Sequence, residues 1–231
     1  SVLSARCFRG EESMAYAPFA EVLRAAVAGG TSGWPDGWLA EIVRLVPETE
    51  VGGGEAASVA PLNTPGAQMR FFEVVSLVLA SVSSAGSPAV LLLDDLHWAD
   101  DASLDLLASL VRRLKGKPFC ILATWRDEPT GVGRLQGLLA EAERSGVARS
   151  ISLHRLSRAE VTEMVVDAGL TEDLGDRLFR ETEGLPFFLV EYLRTRAVEG
   201  EGVGEGWEIP ASVRDMITSR LMAIGQGGRQ V

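Results

Sequence analysis

Two adjacent carboxylates, Asp94 and Asp95, end the run Ser87-Pro88-Ala89-Val90-Leu91-Leu92-Leu93. A continuous apolar stretch bounded by Pro and Asp reads as a strand buried on both faces, inside a parallel sheet covered by helices. Ligands of such sheets bind at the carboxyl ends of the strands, where both acids fall. Acids at the mouth of a buried strand are costly unless a positive partner meets them. Where nucleotides are hydrolysed, that partner is a hydrated Mg2+ held through one or two carboxylates and the substrate phosphates. The second acid then orients or deprotonates the attacking water. The same residues equally suit a strand ending in a solvated Asp-Asp turn, and the strand alone leaves both alternatives open.

A second candidate group follows the apolar run Phe119-Cys120-Ile121-Leu122-Ala123-Thr124. Arg126 stands two residues beyond that run, at the sheet edge expected to carry Asp94. Its fork is always charged and suits phosphate oxygens, so it could sense a γ-phosphate. The plainer alternative is an ion pair with Asp127 or Glu128. Thr124 could hydrogen-bond a phosphate-bound water, or be no more than a β-former at a strand end. Gly184-Leu185-Pro186 is by default a turn between helices, with a rigid apolar patch against an adenine ring as its functional alternative. His97 and Trp98 either frame the site or pack the loop after the strand, and Asp100 and Asp101 suit helix caps better than metal ligands. Phosphate chemistry here requires Asp94 and Arg126 on one rim. That in turn requires the two apolar runs to be neighbouring strands pointing the same way.

The elements that must position these residues are legible from periodicity. Residues 2–8 predict a short strand. Phe19, Val22, Leu23, Ala26 and Val27 recur at helical spacing after Pro18, and 34–46 predicts a short helix between turns. The Gly-, Ala- and Pro-rich stretch 50–65 predicts an exposed, disordered loop. A helix is expected over 66–84, another after Asp100 or Asp101 with Leu104, Leu107, Val111 and Leu114 as its stripe, and a third through Leu135, Leu138, Leu139 and Ala142. Residues 150–153 predict a last strand. Strands and helices alternating at this spacing give right-handed crossovers and a parallel sheet, an α/β fold. Beyond 154 only helices are expected: one opened by the capping box Ser157-Arg158-Ala159-Glu160, then 171–182 and 187–198. An acidic linker follows at 200–206, then a second capping box at Ser212 with Val213, Ile217, Leu221 and Ile224 behind it.

A chain of 231 residues, 46% hydrophobic and 23% charged, has an ordinary soluble composition. No apolar run approaches the roughly 20 residues needed to span a bilayer. The N-terminus shows neither an initiator Met nor a signal-peptide pattern, so a position inside a longer polypeptide, entered mid-strand, is expected. The net charge of −10 argues against this segment gripping nucleic acid. Cys7 and Cys120 both fall in predicted strands and read as core residues, and nothing suggests a disulfide framework, which makes a reducing cytoplasm the default. Two histidines, His97 and His154, are too far apart for an obvious His-based metal site.

The ordered blocks LLLDDLHWADDASLDLL, ATWRDEP, LHRLSRAEV, ETEGLPFFLVEYLR and IPASVRDMITSRL together resemble the ATPase module of STAND-class P-loop regulators, AAA+ relatives found in large bacterial LuxR-type transcriptional activators. The resemblance implies ATP or ADP and Mg2+ as ligands, with Asp94 on the metal in a Walker B arrangement and Asp95 polarising water. It implies that Arg126 is a sensor Arg and that Pro186 lies near adenine. It further implies an incomplete ATPase core over 1–153, a helical lid over 154–206 and the start of a winged-helix region over 207–231. DNA would be bound by another domain of the same polypeptide, with other domains and self-association as the partners of this segment. One part is missing: no G-x-x-x-x-G-K-[ST] loop occurs, and the only Gly-Lys pair, Gly116-Lys117, is followed by Pro. Weak or no nucleotide binding by this chain alone is therefore expected, along with an unpaired sheet edge. The alternative from another class is a non-catalytic oligomerisation scaffold that keeps the ATPase-like fold.

Overall fold

The computed structural model describes residues 1–11, 13–47, 62, 64–84, 86–126 and 133–199. The expected loop at 50–65 falls largely outside them. The 200–206 linker, the second capping box and the winged-helix region lie wholly outside. The chain divides into two compact units, 1–150 and 151–231.

The first unit is α/β. Strands β1 (Val2–Arg6), β2 (Ala89–Asp94) and β3 (Phe119–Ala123) form one sheet in the order β1-β2-β3, with both pairings parallel. The register sets Leu3 beside Leu91 and Leu91 beside Ile121. Residues of one parity on all three strands therefore share a face. Helices α1 (Ala17–Ala28), α2 (Asp36–Ile42), α3 (Pro65–Ser81), α4 (Asp101–Arg113) and α5 (Gly133–Arg144) bury that face. Its core joins Leu3, Leu91 and Leu93 to Phe19, Phe71, Leu106 and Leu110.

Local chemistry sets the helix starts. Thr64 accepts the Ala67 amide at 3.3 Å ahead of Pro65, whose fixed φ suits a first turn. Asp100, rather than Asp101, caps α4. One of its oxygens takes the Ser103 amide at 2.8 Å, and the other takes the Ser103 hydroxyl. Burial of Asp100 is tolerated because both oxygens are satisfied.

Three expectations are corrected. The opposite sheet face is not buried: Val2 is 74% and Leu122 55% exposed, and Val90 and Leu92 are only half-buried. The continuous apolar run of β2 thus covers one closed face and one open face. Cys120 projects onto the open face and is exposed, whereas Cys7, just past β1, is buried. The predicted strand at 150–153 is absent, because its backbone finds no strand to pair with. The Ser150 amide instead donates to Glu143 Oε1 at 2.9 Å, and the Ser150 side chain, then this amide, hold the Glu143 carboxyl below its usual range. Ile151 and Leu153 stand 73% and 91% exposed.

The second unit contains, among the described residues, α6 (Arg158–Asp167), α7 (Glu172–Thr182) and α8 (Pro186–Glu199) around Val161, Val165, Leu178, Leu189 and Tyr192. Ser157 and Glu160 form the expected reciprocal capping box. Gly175 lets α7 approach α6 closely, since a Cβ there would sit 2.6 Å from the Thr162 hydroxyl oxygen.

Candidate functional site

The carboxyl ends of β2 and β3 are neighbours, as phosphate chemistry at this rim requires. Arg6 pairs in register with Asp94, and Thr124 lies one residue past the Leu93–Ala123 pair. The ladder continues there through the Cys7 amide to the Asp94 carbonyl at 2.9 Å and the Thr124 amide to the Leu93 carbonyl at 3.0 Å. Arg6, Asp94 and Thr124 therefore form one cross-strand row on the open face.

Thr124 is the hinge of the row. Its hydroxyl donates to Asp94 Oδ1 at 2.5 Å and accepts the Asp95 amide at 3.0 Å. A hydroxyl can do both at once, so a single side chain fixes one acid by its carboxylate and the other by its backbone. Asp95 follows β2 with a φ of 54°, in the left-handed region that turns the chain sharply into a single 3₁₀ turn over Leu96–Trp98. The Leu96 amide closes the turn onto the Thr124 carbonyl at 2.8 Å.

Arg6 was not singled out from the sequence. Its Nε and Nη2 donate to Asp95 Oδ2 at 3.0 and 2.6 Å, and its Nε lies 3.6 Å from Asp94 Oδ2. The guanidinium pKa is raised, first by the Asp95 hydrogen bond and then by the charge of the same group. The positive partner that the acids require is thus a residue of the chain itself. Nothing local in the sequence marks Arg6, and only the parallel register between segments some ninety residues apart brings it here.

Arg126 falls at the same edge. Its amide donates to His97 Nδ1 at 3.4 Å, and that nitrogen lies 4.0 Å from Asp95 Oδ1. His97 packs beside Trp98, with ring centroids 4.8 Å apart, and Arg9 lies over the Trp98 ring at 5.6 Å. Below the rim, burial and the charges of Asp100 and Asp95 push the Cys7 thiol up to about 12, so it stays protonated at neutral pH. Asp101 is not part of the row and pairs with Arg134 at 3.4 Å.

Pro186 belongs to the second unit, where it opens α8. The preceding Gly184 has a φ of +71°, and a Cβ there would lie 2.0 Å from the Leu156 carbonyl oxygen. Its own carbonyl accepts the Leu156 amide at 2.8 Å. The Gly-Leu-Pro turn is therefore a tight seam between the entry to α6 and the start of α8.

Among the described residues no group of three or more His, Cys, Asp and Glu could cage a metal. The rim offers Asp94 with a neighbouring acid, which is the sparse protein donor set Mg2+ accepts when phosphates and water complete its shell. A cleft of about 260 Å3 between α4 and α5, lined by Val111, Leu138 and Ala142, contains none of these residues. No described helix is long and apolar enough to cross a membrane.

A family model described as AAA ATPase domain matches residues 1–122. Among solved structures, the chain is similar to a Walker-type ATPase of Pyrococcus abyssi at 12% identity, with a TM-score of 0.42 over 97% of this chain. The chain spans 62% of the length of that structure. No curated protein matches the sequence.

Proposed function

This chain belongs to the AAA ATPase domain family, and on that premise we propose that its rim is the metal- and water-handling part of an ATP-hydrolysing regulatory switch. The row Arg6–Asp94–Thr124 with Asp95 behind it carries the proposal. It presents two carboxylates at the carboxyl end of a parallel strand, one fixed through its oxygen and one through its backbone. Asp94 would hold Mg2+, which neutralises phosphate charge when bound. Asp95, turned off the end of β2, would accept a proton from or orient the attacking water. Thr124 keeps Asp94 at a fixed rotamer, and Arg126 brings a permanent positive charge to the edge where a γ-phosphate would lie.

No G-x-x-x-x-G-K-[ST] phosphate-cradling loop occurs in the 231 residues. We read the chain as one module of a larger signal-transduction regulator, resembling the STAND-class modules of LuxR-type activators, with Pro186 and the helices α6–α8 serving as a nucleotide-responsive lid. Mg2+-dependent ATP hydrolysis in the full-length protein tests this. Asp94→Asn and Asp95→Asn should each lower kcat by about 10²-fold or more, in line with loss of a metal ligand or a general base. Asp94→Asn should also raise the Mg2+ concentration needed for half-maximal rate. Wild-type rates in both variants would remove the assigned roles.

A further inference from the structure

Among the described residues, hydrogen bonds join the turn after β2 to the turn after β3. The Asp95 amide reaches the Thr124 hydroxyl, the Leu96 amide reaches the Thr124 carbonyl, and the Arg126 amide reaches His97 Nδ1. The first two hold Thr124. The third holds the backbone at Arg126 itself, and it does so with the side chain that also sets its nitrogen 4.0 Å from Asp95 Oδ1.

That side chain is unusual in a second respect. His97 is 5% exposed, and its Nε2 is a buried polar atom with no hydrogen-bond partner among the described residues. Because Nδ1 accepts the Arg126 amide it carries no hydrogen of its own, so in the neutral ring the hydrogen sits on the unpartnered Nε2. A buried donor left unsatisfied is unfavourable, and a Phe would fill similar space beside Trp98 without that cost. What an imidazole adds over an apolar ring at this position is the acceptor at Nδ1.

We propose that His97 is a positioning residue for hydrolysis, using Nδ1 to fix the backbone of Arg126 at a set distance from Asp95. The group that meets the γ-phosphate and the group that activates water then stay in register, although they sit on different strands. This rests on the hydrolysis proposed above, and it extends that proposal to a residue that touches neither substrate nor metal. Spacing of this kind governs how often the bound reactants reach a reactive geometry, so its loss falls on the chemical step more than on binding.

The test uses the full-length protein with His97→Phe, which keeps the ring volume and removes the acceptor, and His97→Asn, whose short amide can place an acceptor near the Nδ1 position. His97→Phe should lower kcat about 10- to 100-fold with KM for ATP within about twofold, and His97→Asn should recover most of the loss. Hydrogen exchange at the Arg126 amide, which needs no turnover, should be faster in His97→Phe and in His97→Ala than in the wild type. Unchanged kcat in His97→Phe overturns the proposal. So does an equal loss in both ring replacements, or an unchanged Arg126 amide. Asp94→Asn measured alongside separates the two levels. If it hydrolyses ATP like the wild type, the metal role fails first. If it is inactive while the His97 variants are normal, only the positioning role fails.

Discussion

Arg6 meets Asp95 twice and Asp94 at longer range, so the acids begin with a cation already in place. A metal ion held by Asp94, as proposed, would compete with that guanidinium for the same negative field. The pair is open to solvent, with the Arg6 side chain 57% exposed, so its net worth to stability is small. Its effect on the metal is not bound by that limit, because removing a resident charge changes what the incoming ion replaces. Arg6→Ala should leave two neighbouring carboxylates uncompensated, and Mg2+ should then raise its Tm more than it raises the Tm of the wild type. Equal Mg2+ shifts in a thermal melt would show that Arg6 does not shield the acids. At this scale Asp94, Asp95 and Thr124 were legible because their types and their place at the ends of apolar runs are local facts. Arg6 and the acceptor role of His97 were not, since each depends on which strand lies beside which.

The seam in the second unit shows what an element boundary reports where a motif allowed both a helix-separating turn and a nucleotide contact. Gly184 needs glycine on two counts, a φ of +71° and a Cβ position 2.0 Å from the Leu156 carbonyl oxygen. Gly169 has a similar φ of +78° with open space around it. Gly169→Ala should therefore cost about 1–2 kcal/mol from the left-handed backbone alone. Gly184→Ala should cost more, roughly 3 kcal/mol or above, because the seam must also open. Urea denaturation followed by helical circular dichroism measures both. Equal costs would mean that the Leu156 contact relaxes freely. Helix positions were readable in advance here because Ser157 and Glu160 announce their capping box in four residues and Gly184-Leu185-Pro186 marks the break before α8, which begins one residue earlier than expected, at Pro186. The strand expected at 150–153 failed for a reason that no window of sequence contains. Alternating or apolar residues make a strand only beside another strand, and in this chain the Ser150 amide is taken by Glu143 instead.

At the scale of the whole molecule, local stability should follow the two cores. In the first unit β2 is hydrogen-bonded on both sides, and its inner residues Ala89, Leu91 and Leu93 are fully buried against helices from both directions along the chain. In the second, the described core rests on Val161, Val165, Leu178, Leu189 and Tyr192. Helices packed around a described core of that size should gain less hydrophobic stabilisation to offset their chain entropy. Local opening should follow suit, because cooperative units with few buried contacts open at lower free energy than the central strands of a sheet. Native-state hydrogen exchange should therefore find the amides of Leu91, Leu92 and Leu93 slowest in the chain. Those of α6–α8 should exchange at least about tenfold faster, a gap of about 1.4 kcal/mol in opening free energy. Adding Mg2+ and ATP to the full-length protein should protect the turns at Asp95 and Arg126 beyond the rest of the sheet, since a ligand stabilises the state it binds. Uniform protection over both units would mean instead that they open together.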